Sequence, residues 1–212
     1  MENNVVPVRV AVGLGDAVAQ LSLLGVLQSR RSVQVCGTAE TLPQLIDLLH
    51  QTWPDVLLLA DPIKGSRPAD VVTAVRAQWP KLPILLFANV EAAPARYFAA
   101  LRAGASVQLS TDASPLKLVY LLVQLASPSY VAERSRQFHE LGGIPRLTDR
   151  EAQVLLLVGA GRDGEKAADA MGIPIAVFER HMYHLIRKFG VRDRDEMVWV
   201  ATQLRNQFFL SA

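Results

Sequence analysis

The chain has 212 residues, half of them apolar, with 22 Lys and Arg against 20 Asp and Glu and a formal net charge of +2. That length and apolar content suffice for two cores, of roughly 125 and 65 residues, while so small a net charge gives no general attraction to nucleic acid. The single Cys36 excludes an internal disulfide, no run of eighteen uncharged apolar residues is present, and the start MENNVVPVRV lacks a basic, then hydrophobic, then small-residue leader pattern, so a cytoplasmic protein with no membrane partner is expected.

In chain order, apolar runs predict strands at Val8–Val12, Val33–Thr38, Val56–Ala60, Ile84–Ala88 and Ser106–Leu109. Between and after them, helical spacing predicts helices at Ala17–Gln28, Leu42–Gln51, Ala69–Gln78, Ala92–Ala103 and Pro115–Ala126. Five strands alternating with five helices predict an α/β unit with a doubly wound parallel sheet. The unbroken apolarity within TWPDVLLLADP and WPKLPILLFA fits strands covered on both faces. Cys36 falls in a strand and is expected to be buried. Helix Pro115–Ala126, PLKLVYLLVQLA, is apolar nearly all round, whereas a helix that only covers a sheet keeps a polar face. Two readings follow: the connection Ser127–Arg146 buries it, or it joins Leu21, Leu24 and Leu27 in a subunit contact.

The segments PDVLLLADP and ALRAGASVQLSTDASPLKL place this first unit, residues 1–126, in register with a known family. It resembles the receiver domain of two-component response regulators, a flavodoxin-like fold, over roughly residues 7–126. The resemblance implies a magnesium-binding acidic pair at Leu14 and Gly15, a phosphoacceptor at Ala60, a switch hydroxyl at Phe87 and a phosphate-neutralising lysine at Thr111. None of these residues has the required chemistry. Magnesium needs hard oxygen ligands, and acyl-phosphate formation needs a carboxylate nucleophile. Asp16 and Asp61 each stand one residue late, and because side chains alternate faces along a strand Asp61 does not substitute without a register change. A pseudo-receiver with a degenerate phosphorylation site, no metal and no cofactor is expected. An apolar crevice lined by Leu14, Ala60 and Phe87 is read as sealed core, with a small-molecule ligand as the alternative. The family's domains pair through their first and last helices, which implies a homodimer.

After the linker 127–146, Thr148 with Glu151 three residues on forms a helix-starting capping box. The first helix is predicted to about Val158, and Gly159 and Gly161 end it. Lys166–Met171 carries apolar residues at helical spacing, Gly172 makes a turn, and Pro174 opens a helix over Ile175–Phe189. Two helices joined at a glycine form a helix-turn-helix. On the long helix, Val177, Phe178, Met182, Leu185, Ile186 and Phe189 face inward. Glu179, Arg180, Tyr183, His184, Arg187 and Lys188 then face solvent, either as a plain solvated surface or as a face that reads DNA.

The strings LTDREAQVL, AADAM, VFERH and RKFGVRDR resemble the LuxR/FixJ/NarL-type four-helix DNA-binding domain over residues 147–194. The resemblance implies an all-α second domain at 147–212, double-stranded DNA as partner, and base or phosphate contacts by Arg180, Tyr183, His184, Arg187 and Lys188. Three positions depart from the pattern: Val177 replaces a threonine, Glu179 a lysine and Tyr183 a basic residue. Between Leu147 and Ala212 nine Lys and Arg balance nine Asp and Glu, although Phe178–Arg194 holds five cations against two acids. Weak binding per monomer, raised by dimerisation, is therefore expected.

Enzyme readings find no support. GLGDAV at Gly13–Val18 lacks the third small residue of a dinucleotide fingerprint. His181 and His184 share a helix face without further ligands for zinc, and Ser66, Ser110 and Ser114 have no base in an elbow motif. Two functions follow: a bacterial, phosphorylation-independent, dimeric transcription regulator, or a non-DNA-binding adaptor whose degenerate helix-turn-helix docks a protein partner.

Overall fold

The structure is a computed structural model and describes residues 6–60, 63–129 and 143–210. Its first half runs β1 (Val8–Gly13), α1 (Ala17–Gln28), β2 (Val33–Ala39), α2 (Leu42–Thr52), β3 (Val56–Ala60), α3 (Pro68–Gln78), β4 (Ile84–Phe87), α4 (Pro94–Arg102), β5 (Val107–Leu109) and α5 (Pro115–Leu125). The second half is α6 (Asp149–Gly159), α7 (Gly164–Met171), α8 (Ile175–Phe189), α9 (Arg194–Phe208) and a two-residue strand β6 (Phe209–Leu210). Most of the expected linker, residues 130–142, lies outside the described residues.

The five expected parallel strands are present, but the sheet has six, in the order β2-β1-β3-β4-β5-β6. The addition comes from the other end of the chain: Phe209 and Leu210 pair in parallel with Gln108 and Leu109. A strand this short has no periodicity to read; its pairing depends on where α9 delivers the chain. It also covers part of the unpaired backbone that an edge strand otherwise exposes.

Side-chain alternation divides the sheet into two apolar layers. Val10, Val12, Leu58, Leu85, Val107 and Leu109 face α1 and α5, where they meet Leu27, Leu118 and Leu122. Ala11, Leu57, Leu59, Ile84 and Leu86 face the opposite layer with α2, α3 and α4. This second cluster continues through Tyr97, Phe98 and Leu101 of α4 into Ala152 and Leu155 of α6 and Leu204 and Phe208 of α9. The helical domain is therefore packed on α4 and the β5 edge by apolar contact, chiefly through α6 and α9.

Two expectations need correction. Cys36 is only half-buried, with its Sγ–H donating to the Gln34 carbonyl at 3.9 Å, because β2 is the outer strand of the sheet. Leu27 is fully buried and so contributes to the core instead of a subunit face. Burial against the sheet also accounts for most of α5, leaving Leu116 and Tyr120 66% and 59% exposed, with Leu21 of α1 at 74% on the same side.

One polar tie inside the first domain has no sequence signature. Arg76, near the end of α3, donates from Nε and Nη2 to the Gly104 carbonyl at 3.0 and 2.7 Å, and from Nη1 to Trp79 O at 3.1 Å and to Leu82 O. Burial lowers its pKa from the ordinary value, and the carbonyls satisfy the guanidinium in the fork geometry that arginine provides. The turns after α3 and α4 are thereby fixed to one another. Among the described residues no helix is long and apolar enough to cross a membrane.

Candidate nucleic-acid interface

The helical domain is positioned by its caps and by one close approach. Thr148 and Glu151 form the expected capping box: Thr148 Oγ1 accepts from Glu151 N at 3.3 Å and Glu151 Oε2 accepts from Thr148 N at 2.8 Å. Asp163 Oδ1 accepts from Lys166 N at 2.8 Å to start α7, and Gly172, at φ 62°, turns the chain toward α8. Gly159 is the last residue of α6 instead of its terminator. It is needed for packing, since a Cβ there would lie 2.5 Å from the Ala201 carbonyl oxygen of α9.

Helix α8 buries Phe178, Met182 and Leu185 at i, i+4 and i+7, with Val177, Ile186 and Phe189 half-buried beside them. Its packing partners are α6, α7 and α9. Arg180, Tyr183, His184 and Arg187 stand on the opposite, exposed face. The Arg187 guanidinium carbon lies 6.0 Å from the Tyr183 ring centroid, within cation–π range.

The other two residues of the expected face have partners. Glu179 Oε1 accepts from Arg194 Nη1 at 2.6 Å, tying α8 to the start of α9. The pair lies over Gly164, where a Cβ would come within 2.8 Å of Arg194 Nη2. Lys188 Nζ donates to Glu151 Oε2 at 2.6 Å and to the Arg146 carbonyl at 3.0 Å. Burial opposes the charge of Glu151, only 3% exposed, but hydrogen bonds from Lys188 and Thr148 outweigh it and hold the carboxyl below its ordinary value. His181, on the flank of α8, has a buried Nδ1 without a partner among the described residues. Burial, with added repulsion from His184, Arg150 and Arg180, lowers its pKa against the attraction of Glu151. Arg146, Arg194 and Glu151 thus shape the face although pattern reading assigned them no part in it; the contacts run between segments far apart in sequence.

The residues aligned with a phosphorylation site gather at the carboxyl ends of the strands. Leu14, just after β1, is 2% exposed, and its N–H donates to Ala39 O at 2.8 Å. Gly15 is buried, and Ala60, the last residue of β3, is 3% exposed and pairs with Phe87 at the end of β4. Phe87 packs against the same apolar cluster as Leu14 and Ala60. Thr111 is exposed in the loop after β5, Asp16 is exposed before α1, and Asp61 lies outside the described residues.

Residues 145–201 match the family model of bacterial regulatory proteins of the luxR family. Over 155 residues the chain is 28% identical to the nitrate/nitrite response regulator protein homolog of Haemophilus influenzae, covering 70% of this chain and 74% of that one. Over 192 residues it is 21% identical to the response regulator protein VraR of Staphylococcus aureus, covering 87% and 91%. RcsB from Salmonella enterica serovar Typhimurium, in a structure bound to promoter rprA with phosphomimetic BeF3-, has the same fold with a TM-score of 0.52 and 19% identity over 93% of this chain and 99% of that one. The signal receiver domain of NarL from Mycobacterium tuberculosis matches with a TM-score of 0.52 and 29% identity over 57% of this chain and 96% of that domain. Residues 145–201 are thus a luxR-family domain, and with its receiver-like sheet and capped helix-turn-helix the chain is similar to response regulators of the NarL/FixJ/LuxR type.

Proposed function

We propose that the protein is a dimeric cytoplasmic transcription regulator that binds double-stranded promoter DNA through α8 without phosphorylation of its first domain. The observation that carries this reading is a contrast between its two ends. The strand termini hold Leu14, Gly15, Ala60, Phe87 and Thr111, with no carboxylate among them, while Arg180, Tyr183, His184 and Arg187 remain open on α8. Arg180 has the planar fork suited to a guanine edge, a contact worth about 1–3 kcal/mol of discrimination. Arg187 and His184, further along the helix, suit phosphate contacts that set the register. Lys188 contributes less than its position suggests because Glu151 holds its ammonium, and Glu179 faces the same side as an acid.

A charge-balanced 147–212 domain binds weakly by itself, so dimerisation supplies the missing contacts. Leu21, Leu116 and Tyr120 give α1 and α5 an exposed apolar surface for that contact. In this reading residues 1–126 are the pseudo-receiver, 127–146 the linker and 147–212 the reader. A protein or small-molecule signal then takes the place of phosphate.

Promoter fragments recovered by genome-wide immunoprecipitation, tested by gel retardation across a salt series, check the reading. Binding lost in Arg180→Ala and Arg187→Ala supports it. Stoichiometric, acid-stable phosphate incorporation from a small phosphodonor with magnesium, lost in Asp61→Asn, refutes the phosphorylation-independent part. The adaptor reading gains support from the ion pairs that occupy Glu179 and Lys188; absence of DNA binding even at low salt, together with a copurifying protein, would favour it.

A further inference from the structure

We infer that the cleft between the two domains is a binding site for a small amphipathic organic anion. A cavity of about 590 Å³ lies there, with the loops after β4 and β5 on one wall and α6, α7 and α9 on the other. Its volume falls within the roughly 300–1,000 Å³ of small-molecule sites. It also stands beside the carboxyl ends of β4 and β5.

The charges inside it are unspent. Among the described residues from Leu147 onward, Lys166, Lys188, Arg192 and Arg194 each have an acidic partner. The basic side chains without one are Arg180 and Arg187 on α8, and Arg150, Arg162 and Arg205 in this cleft. Arg150 makes one side-chain hydrogen bond, from Nη1 to Gln153 Oε1 at 3.2 Å. Three arginines lining one ligand-sized cavity suit a carboxylate, phosphate or sulfonate.

The facing wall has the opposite character. Gln108 is 1% exposed and projects from β5 away from Val107 and Leu109, which face α1 and α5. Its Nε2 donates to the Ala88 carbonyl at 2.7 Å, which fixes the amide where it lines the cavity. Glu91 and Asp112, neither in an ion pair among the described residues, add acceptors on that wall, and Leu156 and Leu157 of α6 and Met171 of α7 give the cavity its apolar part. The occupant is therefore negatively charged at the helical wall, donates N–H or O–H to the sheet wall and has an apolar body between. A ligand that touches both domains holds them together, which links occupancy to the disposition of the reader helix.

The fluorescent anion 8-anilinonaphthalene-1-sulfonate has this chemistry: a sulfonate, an anilino N–H and two aromatic systems. Titrated into the full chain, it is expected to saturate at one molecule per chain. Its affinity should fall at least tenfold in Arg162→Ala/Arg205→Ala, with the circular dichroism spectrum and Tm retained, and should be unchanged in Arg180→Ala/Arg187→Ala. If the double variant unfolds, Arg162→Ala alone, an exposed loop change, should give a smaller loss in a folded protein. Absence of saturable binding, undiminished affinity in the folded cleft variant, or an equal loss in the α8 variant would overturn the inference. Probe binding and DNA binding are read separately, so failure of either leaves the other testable.

Discussion

Gly159→Ala sets two familiar effects against each other at one atom. Replacing a helical glycine by alanine favours the helix by about 1 kcal/mol through backbone entropy. Here the added Cβ would lie 2.5 Å from the Ala201 carbonyl oxygen, 2.9 Å from its carbonyl carbon and 3.3 Å from Arg205 Cβ, against ordinary contact from 3.4 Å. Two of these atoms are main chain, so no rotamer change relieves them; α6 and α9 must separate by about 0.9 Å at their crossing. Overpacking of this kind costs about 1–3 kcal/mol, and a backbone clash belongs at the upper end. We expect net destabilisation of the helical domain by about 1–2 kcal/mol, read as a lower urea midpoint by circular dichroism with an unchanged m-value. Ala201→Gly should fail to rescue it, because the opposing atoms are backbone. A midpoint equal to or above the parent's would refute the reasoning, since helix propensity would then have decided the outcome.

Thr148→Ala removes the cap of α6 and one of the bonds to Glu151, so a loss of about 1 kcal/mol is expected in the same urea titration. The carboxyl of Glu151 and the imidazole of His181 both have pKa values lowered on folding, from 4.5 and 6.5. The unfolded chain therefore takes up protons first, and stability, complete above those values, declines as pH falls through 6.5 and again through 4.5. Denaturation midpoints across pH 3–8 should show both limbs, with the acid limb reduced in Glu151→Gln and the remainder carried by Asp163 and Glu196, whose pKa values are also lowered. Arg76→Ala removes the side-chain donor of the Gly104, Trp79 and Leu82 carbonyls, of which Trp79 O keeps the Leu82 N–H, and should cost about 2–3 kcal/mol, visible as a large Tm drop that Arg76→Lys recovers only in part. Glu179→Ala should barely alter Tm, because the exposed pair is worth under about 1 kcal/mol. It frees Arg194 beside α8, so the salt dependence of DNA binding should steepen, and an unchanged slope would place that face away from phosphate.

The sequence alone determined the elements whose stability is local. Helix α8 at Ile175–Phe189 and the α6 cap at Thr148 are legible in the sequence, because cap chemistry and a 3.6-residue period act within one or two turns. The parallel sheet was legible for a similar reason: the strand runs at β3 and β4 are apolar on both faces, and alternation with helices leaves few ways to cover them. Contacts between distant segments depend on how the chain folds back on itself. Periodicity cannot show that Lys188 is held by Glu151, that Glu179 meets Arg194, or that Phe209 and Leu210 extend the sheet beside Gln108 and Leu109. Nor can it show that Cys36 sits on an outer strand. The same limit hid the cleft: Arg150, Arg162 and Arg205 are spread over more than fifty residues and share a wall only because α6 and α9 pack together, and that wall is closed into a cleft only where the helical domain meets α4 and the loops after β4 and β5. Local propensity specifies segments, whereas the meeting of charges depends on how those segments dock.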